Sequence, residues 1–174
     1  IPFVVNAKHQ LAPTVRFKND AFAEKVDVHV IRQAVHSPDE KMLIFNAVGY
    51  LWKMDLPNGT PVRLTSDPHF EFEPAFSADG TSLVYVSWED EEMGAIWKMN
   101  LATGTKVKLS SEKGIYRTPA FSPDGQQIVY RKDSGNNHQG FIHTKNPGLY
   151  LMSANGGESQ LITPKGEYPI FSQS

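Results

Sequence analysis

The chain has 174 residues, a formal net charge of -2 and a pI near 6.3, with 40% hydrophobic and 21% charged residues. Those proportions are ordinary for a globular domain; they leave no basic footprint for nucleic acid or an anionic membrane surface, and no run nears the roughly 18 apolar residues that span a bilayer. With no cysteine, disulfides, thiolate metal sites and a cysteine nucleophile are excluded.

The opening IPFVVNAKHQ carries no basic n-region, apolar h-region or initiator Met, and so reads as a processed or trimmed start. Residues 1–30 form an extension in which Val26, Val28 and Val30 alternate with Asp27 and His29, a period that predicts a half-exposed outer strand. From there a phrase recurs: RQAVHSPDEKMLIF, EPAFSADGTSLVY, TPAFSPDGQQIVY and finally YPIFSQS. Its serines, Ser37, Ser77, Ser122 and Ser172, are spaced as a repeat architecture requires, at a period of roughly 20 to 50 residues. Units at 31–72, 73–117 and 118–169 are followed at 170–174 by the start of another.

Each unit holds four short apolar runs divided by turn signals, which predicts a four-stranded meander. The first turn carries Asp79-Gly80 and Asp124-Gly125, a pair suited to a tight hairpin with positive φ at both residues; Asp39-Glu40 in the first unit predicts a different turn there. The third turn is marked by Gly in PNGT, ATGT and NGGE. Third strands align as LWKMD, IWKMN and LYLMS, which puts Trp52, Trp97 and Tyr150 in one register and Met54, Met99 and Met152 in another, as packing residues between units. Second strands such as LVYV are apolar at successive positions, as in a sheet covered on both faces. The lone Asp-Gly pairs lack the oxygen cluster that calcium takes and read as turn chemistry.

At FSADG with TSLVY and at FSPDG with QQIVY the chain resembles the repeat of TolB-like, tricorn-type β-propellers, over about Ile31 to Ser174. The stretches IPFVVNAKHQLAP, LIFNAVGYLWKMDLPNGTPVRLT and YVSWEDEEMGAIWKM are most similar to the propeller that leads into bacterial amidohydrolase domains. The resemblance implies an all-β fold, a partial propeller of three four-stranded antiparallel blades plus the first strand of a fourth, and a periplasmic or secreted setting. Such propellers have six or seven blades, so the chain reads as a piece of a larger protein, with self-association through open blade edges as the other way to cover them.

The separations Phe45 to Trp52, Tyr85 to Trp97 and Tyr130 to Tyr150 lengthen along the chain while the hairpin face stays short. In repeat proteins the face that gathers insertions is often the binding face. On it fall Trp88, Glu89, Asp90, Glu91 and Glu92 of one loop, and Arg131, Lys132, His138 and His143 of the next. The connections add His69, Glu71 and Glu73, then Tyr116 and Arg117. We take Trp88, the four acids after it, His69, Glu71, Tyr116, Arg117, His138 and His143 as a candidate partner-binding rim.

His9, His29, His36, His69, His138 and His143 show no paired spacing with a carboxylate, so no metal site is expected. Gly-x-Ser-x-Gly, His-x-His and phosphate-binding glycine loops are absent from the sequence, and no catalytic residue or cofactor is expected. The expected role is a non-catalytic protein-interaction or scaffolding module, with a protein partner or an adjoining catalytic domain on the rim. The alternative is the amino-terminal propeller of a hydrolase, of amidohydrolase or peptidase type, whose catalytic domain lies beyond residue 174.

Overall fold

The computed structural model describes residues 1–10, 24–25, 27–135 and 144–172. Among them there is no helix, and twelve strands form three four-stranded antiparallel sheets. The first contains β1 (Arg32–His36), β2 (Met42–Ala47), β3 (Tyr50–Asp55) and β4 (Val62–Arg63). The second contains β5 (Phe70–Phe76), β6 (Ser82–Glu89), β7 (Met93–Asn100) and β8 (Lys106–Lys108). The third contains β9 (Ile115–Phe121), β10 (Gln127–Asp133), β11 (Gly148–Ser153) and β12 (Ser159–Thr163). Strands follow one another across each sheet in chain order, so each repeat is a meander. The start of β5 at Phe70 and of β9 at Ile115 places residues 70–72 and 115–117 in the sheet that follows, ahead of the repeated phrase.

The successive apolar positions of the second strands have a direct structural reason. On β6, Leu83 and Tyr85 pack with Ile44, Leu51 and Met99 toward the first blade, while Val84 and Val86 pack with Ile96, Leu109, Ile128 and Tyr130 toward the third. A strand whose two faces are both core has no polar phase. Of the aligned third-strand residues, Trp97 and Met99 pack in one shared core and Tyr150 and Met152 in the other, whereas Trp52 and Met54 are half-buried and belong to neither. Met99 and Met152 are buried.

All three first hairpins share one hydrogen-bonded turn. Ser37, Ser77 and Ser122 are buried, and each hydroxyl donates to the aspartate two residues on, at 2.6, 2.6 and 2.5 Å. The same hydroxyls accept the amides of Met42, Ser82 and Gln127 at 3.0, 2.9 and 2.9 Å. Positive φ falls on the residue after the aspartate alone, at Glu40 (57°), Gly80 (70°) and Gly125 (69°). Two expectations are thereby corrected. The aspartate keeps negative φ, because its job is to accept bonds from the serine and from the amide two residues ahead; and the first turn adopts the same geometry with Glu40, since the serine and aspartate that build it are retained.

Of the segment in which alternation predicts an outer strand, Val26 lies outside the described residues; residues 27–31 pair with no described strand, Val28 and Val30 are exposed, and β1 begins at Arg32.

The inner strands carry a device that alternation does not reveal. Each is bulged, and the bulge holds a non-glycine residue at positive φ: Gln33 (52°), Glu73 (52°) and Thr118 (47°), with Tyr168 (50°) at the matching place four residues before Ser172. The Glu73 amide donates to Gln33 Oε1 at 3.0 Å, and the Thr118 amide donates to Glu73 Oε2 at 2.5 Å. The bulges at Gln33, Glu73 and Thr118 are therefore tied in series along a cleft lined by the inner strands and residues 168–170.

The turn geometry predicts opposite effects at equivalent positions. Gly125→Val forces a side chain into the left-handed region and costs about 1–2 kcal/mol, whereas Glu40→Gly relieves that region and gains up to about 1 kcal/mol in urea unfolding. Acid sensitivity also follows. The serine hydroxyls, followed by backbone amides, hold the Asp39, Asp79 and Asp124 carboxyls below the ordinary aspartate value. Protonation then favours the unfolded chain, so their stabilisation is complete above that value and fades as pH falls through the lower folded pKa. Unfolding midpoints measured from pH 6 down to 2 are expected to fall less steeply in Ser77→Ala than in the native chain.

Candidate functional site

The loops joining second to third strands lie against the connections that enter the next sheet. The Glu71 amide donates to Gly49 O and the Gly94 amide to Gly114 O, both at 2.8 Å. A Cβ on Gly94 would stand 2.5 Å from Gly114 O, so this approach requires glycine. The face they form carries the loops 48–49 and 90–92 and, among the described residues of the third blade, 134–135 and 144–147.

Where these loops meet the inner strands a groove of about 330 Å³ opens, with Arg32, Phe72, Trp88, Tyr116 and Arg117 around Glu73. Trp88, Tyr116 and Arg117 are thus brought together at one groove. Tyr116 is buried up to its hydroxyl, which donates to Glu112 O at 2.7 Å; burial, reinforced by Tyr130 and Glu112, pushes its pKa up and keeps it a neutral donor. Arg117 is held by Glu73, with Nε at 2.7 Å and a terminal nitrogen at 2.6 Å from Oε1.

The acidic run is organised by its own loop. Trp88 Nε1 donates to Asp90 Oδ1 at 3.0 Å, and the Glu89 carboxylate accepts the amides of Glu91 and Glu92 at 3.1 and 3.3 Å. Lys113 reaches Glu92 and the Glu91 carbonyl, both at 3.0 Å. Lys132 is buried and donates to Glu112 at 2.6 Å, an interaction that holds the Glu112 carboxyl below the usual range. Arg131 pairs with Asp133 and Glu167. His138 and His143 lie outside the described residues.

His69 and Glu71 stand apart from the groove. Glu71 is completely buried between the first and second blades, where Oε2 accepts Leu51 N at 3.1 Å and Oε1 accepts the Thr65 hydroxyl at 2.5 Å. His69 stacks on Trp97 at 5.5 Å between ring centres. The expectation that no histidine stands beside carboxylates is corrected here: donor atoms of Asp67, His69 and Glu71 lie within 4.8 Å of one another. The chain bends at Pro68 and His69 before β5 begins at Phe70, and that bend lets three residues spaced by two converge.

A family model described as the TolB beta propeller domain matches residues 27–174. The chain belongs to the TolB β-propeller family. Among solved structures, TolB from Acinetobacter baumannii superposes with a TM-score of 0.62 at 22% identity, covering 77% of this chain and 32% of that one. Oligogalacturonate lyase from Vibrio parahaemolyticus gives a TM-score of 0.59 at 15% identity, covering 77% of this chain and 40% of the lyase. The tricorn protease gives 0.54 at 14% identity, covering 79% of this chain and 14% of the protease. At these identities the likeness is one of fold. The chain thus spans about a third of the TolB structure it matches. No curated protein matches it. Among the described residues of this TolB-family propeller no helix is long and apolar enough to cross a membrane.

Sequence reasoning passed over Gln33, Thr118, Asp67 and Arg32. For the bulge residues the available signal is position, four before each repeated serine, since the residue types share nothing. The roles of two acids separate in a stability measurement. Glu73→Ala leaves the Thr118 amide without its acceptor and is expected to cost about 1–3 kcal/mol, while Glu91→Gln with Glu92→Gln stays within about 0.5 kcal/mol of native.

Proposed function

We propose that this chain is a non-catalytic propeller segment that docks a partner protein, or an adjoining domain of a longer chain, on the face carrying the second-to-third-strand loops. The observation that supports this most is the groove at Trp88, Tyr116 and Arg117, which gathers residues from three blades. Trp, Tyr and Arg are the residue types that dominate interface energetics, since each offers a large contact area with a polar end. Arg32 is exposed beside them, and a guanidinium in a groove with apolar walls suits a segment that carries a carboxylate next to an apolar side chain. The opposite face offers three turns of nearly one shape. A hydrolase domain in a longer chain would ask the same contacts of this face as a separate protein.

Site-specific photocrosslinking in the native host tests the proposal. A benzoylphenylalanine at position 88 is expected to give a discrete adduct that Arg32→Ala diminishes, while the same probe at Thr103, on the hairpin face, gives none. Equal labelling at the two positions, or none at 88, would reject the groove as the docking site.

A further inference from the structure

We propose that Asp67, His69 and Glu71 form a binding site for a divalent transition cation of the zinc or manganese class, set between the first two blades at the edge of the loop face. Their donor atoms converge within 4.8 Å, and a small closing movement brings them to the separation of roughly 4.4 Å or less that donors about 2.0–2.2 Å from one ion require. One imidazole and two carboxylates are a donor set that such ions accept, and three protein donors leave a position open for water.

Two further observations point to an occupant. His69 Nε2 is shielded from solvent and has no hydrogen-bond partner, although it lies 3.7 Å from Asp67 Oδ2. Tyr85, completely buried on β6, likewise leaves its hydroxyl without a partner, and its phenol stands in the field of Glu71 and Asp67. Leaving a buried polar group unpaired is unfavourable, so two orphans near converging carboxylates mark a place where a bound species completes the bonding.

The surrounding contacts are those that orient ligands. Leu51 N and the Thr65 hydroxyl each bond one oxygen of Glu71, and a carboxylate has about four acceptor sites, so one remains on each oxygen. Trp97 fixes the plane of the His69 ring by stacking, with an interplanar angle of 14°. Lys106 Nζ now bonds Asp67 Oδ2 and supplies the positive charge there. An arriving cation competes with that ammonium. Removing the lysine should therefore favour the ion, an effect that a histidine binding metal elsewhere on the surface would not show.

Calorimetric titration of the whole chain with zinc chloride, and separately with manganese chloride, tests this. The expected result is one ion per chain for at least one metal, affinity reduced tenfold or more by His69→Ala, unchanged by His29→Ala, and increased by Lys106→Met. Should His69→Ala unfold, Lys106→Met, which keeps all three donors, still decides the matter by the direction of its shift. Crystals soaked in the same metal are expected to show an anomalous peak bonded to His69 Nε2. No binding, binding that His69→Ala leaves intact, weaker binding in Lys106→Met, or an ordered water without anomalous signal would overturn the proposal.

Discussion

The Glu73 carboxylate is the contact on which the arrangement of the blades turns. Its backbone amide reaches back to Gln33 Oε1, and its side chain reaches forward to the Thr118 amide and Arg117, so one residue links three inner strands. Its side chain is only 10% exposed, and a carboxylate so placed must be matched by donors. The positive φ that aims it is unfavourable for a non-glycine residue, and it is held by the bonds on either side. With inner strands fixed relative to one another, the faces of successive sheets meet closely enough to share the two cores around Leu83, Tyr85 and Val84, Val86.

That constraint also positions the loop face. Arg117 sits one residue before the Thr118 bulge, and Arg32 one residue before Gln33, so the bulges that tie the blades also present the two guanidiniums of the groove. The loop-to-connection bonds at Gly49 and Gly94 hold the remaining wall. The groove's guanidiniums and the structural ties are thus neighbours in the chain. On the opposite face the serine and aspartate of each first turn bond one another and the local backbone, which leaves little for an incoming partner.

Much of the fold was legible because each repeat writes the same local instructions: a serine and aspartate for the turn, then a strand apolar on both faces. Trp97 and Tyr150 could be placed opposite Tyr85 and Tyr130 for that reason. The bulges could not be read, since Gln33, Glu73, Thr118 and Tyr168 have no side-chain property in common and do their work through backbone geometry. The site divided along similar lines. Trp88, Tyr116 and Arg117, assigned to one face by loop position, line one groove, but Glu71 read as a rim residue is buried, because facing Leu51 N and the Thr65 hydroxyl depends on a neighbouring blade. The cluster of Asp67 with His69 and Glu71 was written at alternate positions, yet its convergence depends on the bend at Pro68 and His69, which spacing alone does not reveal.

Amide hydrogen exchange at Glu73 and Thr118, followed by NMR, tests most directly whether the inner strands are tied through their bulges. Both amides are predicted to be strongly protected in the native chain, with Gln33→Ala exposing Glu73 and Glu73→Ala exposing Thr118. Native exchange at Thr118 as fast as at an exposed turn amide such as that of Ala78 would contradict the account.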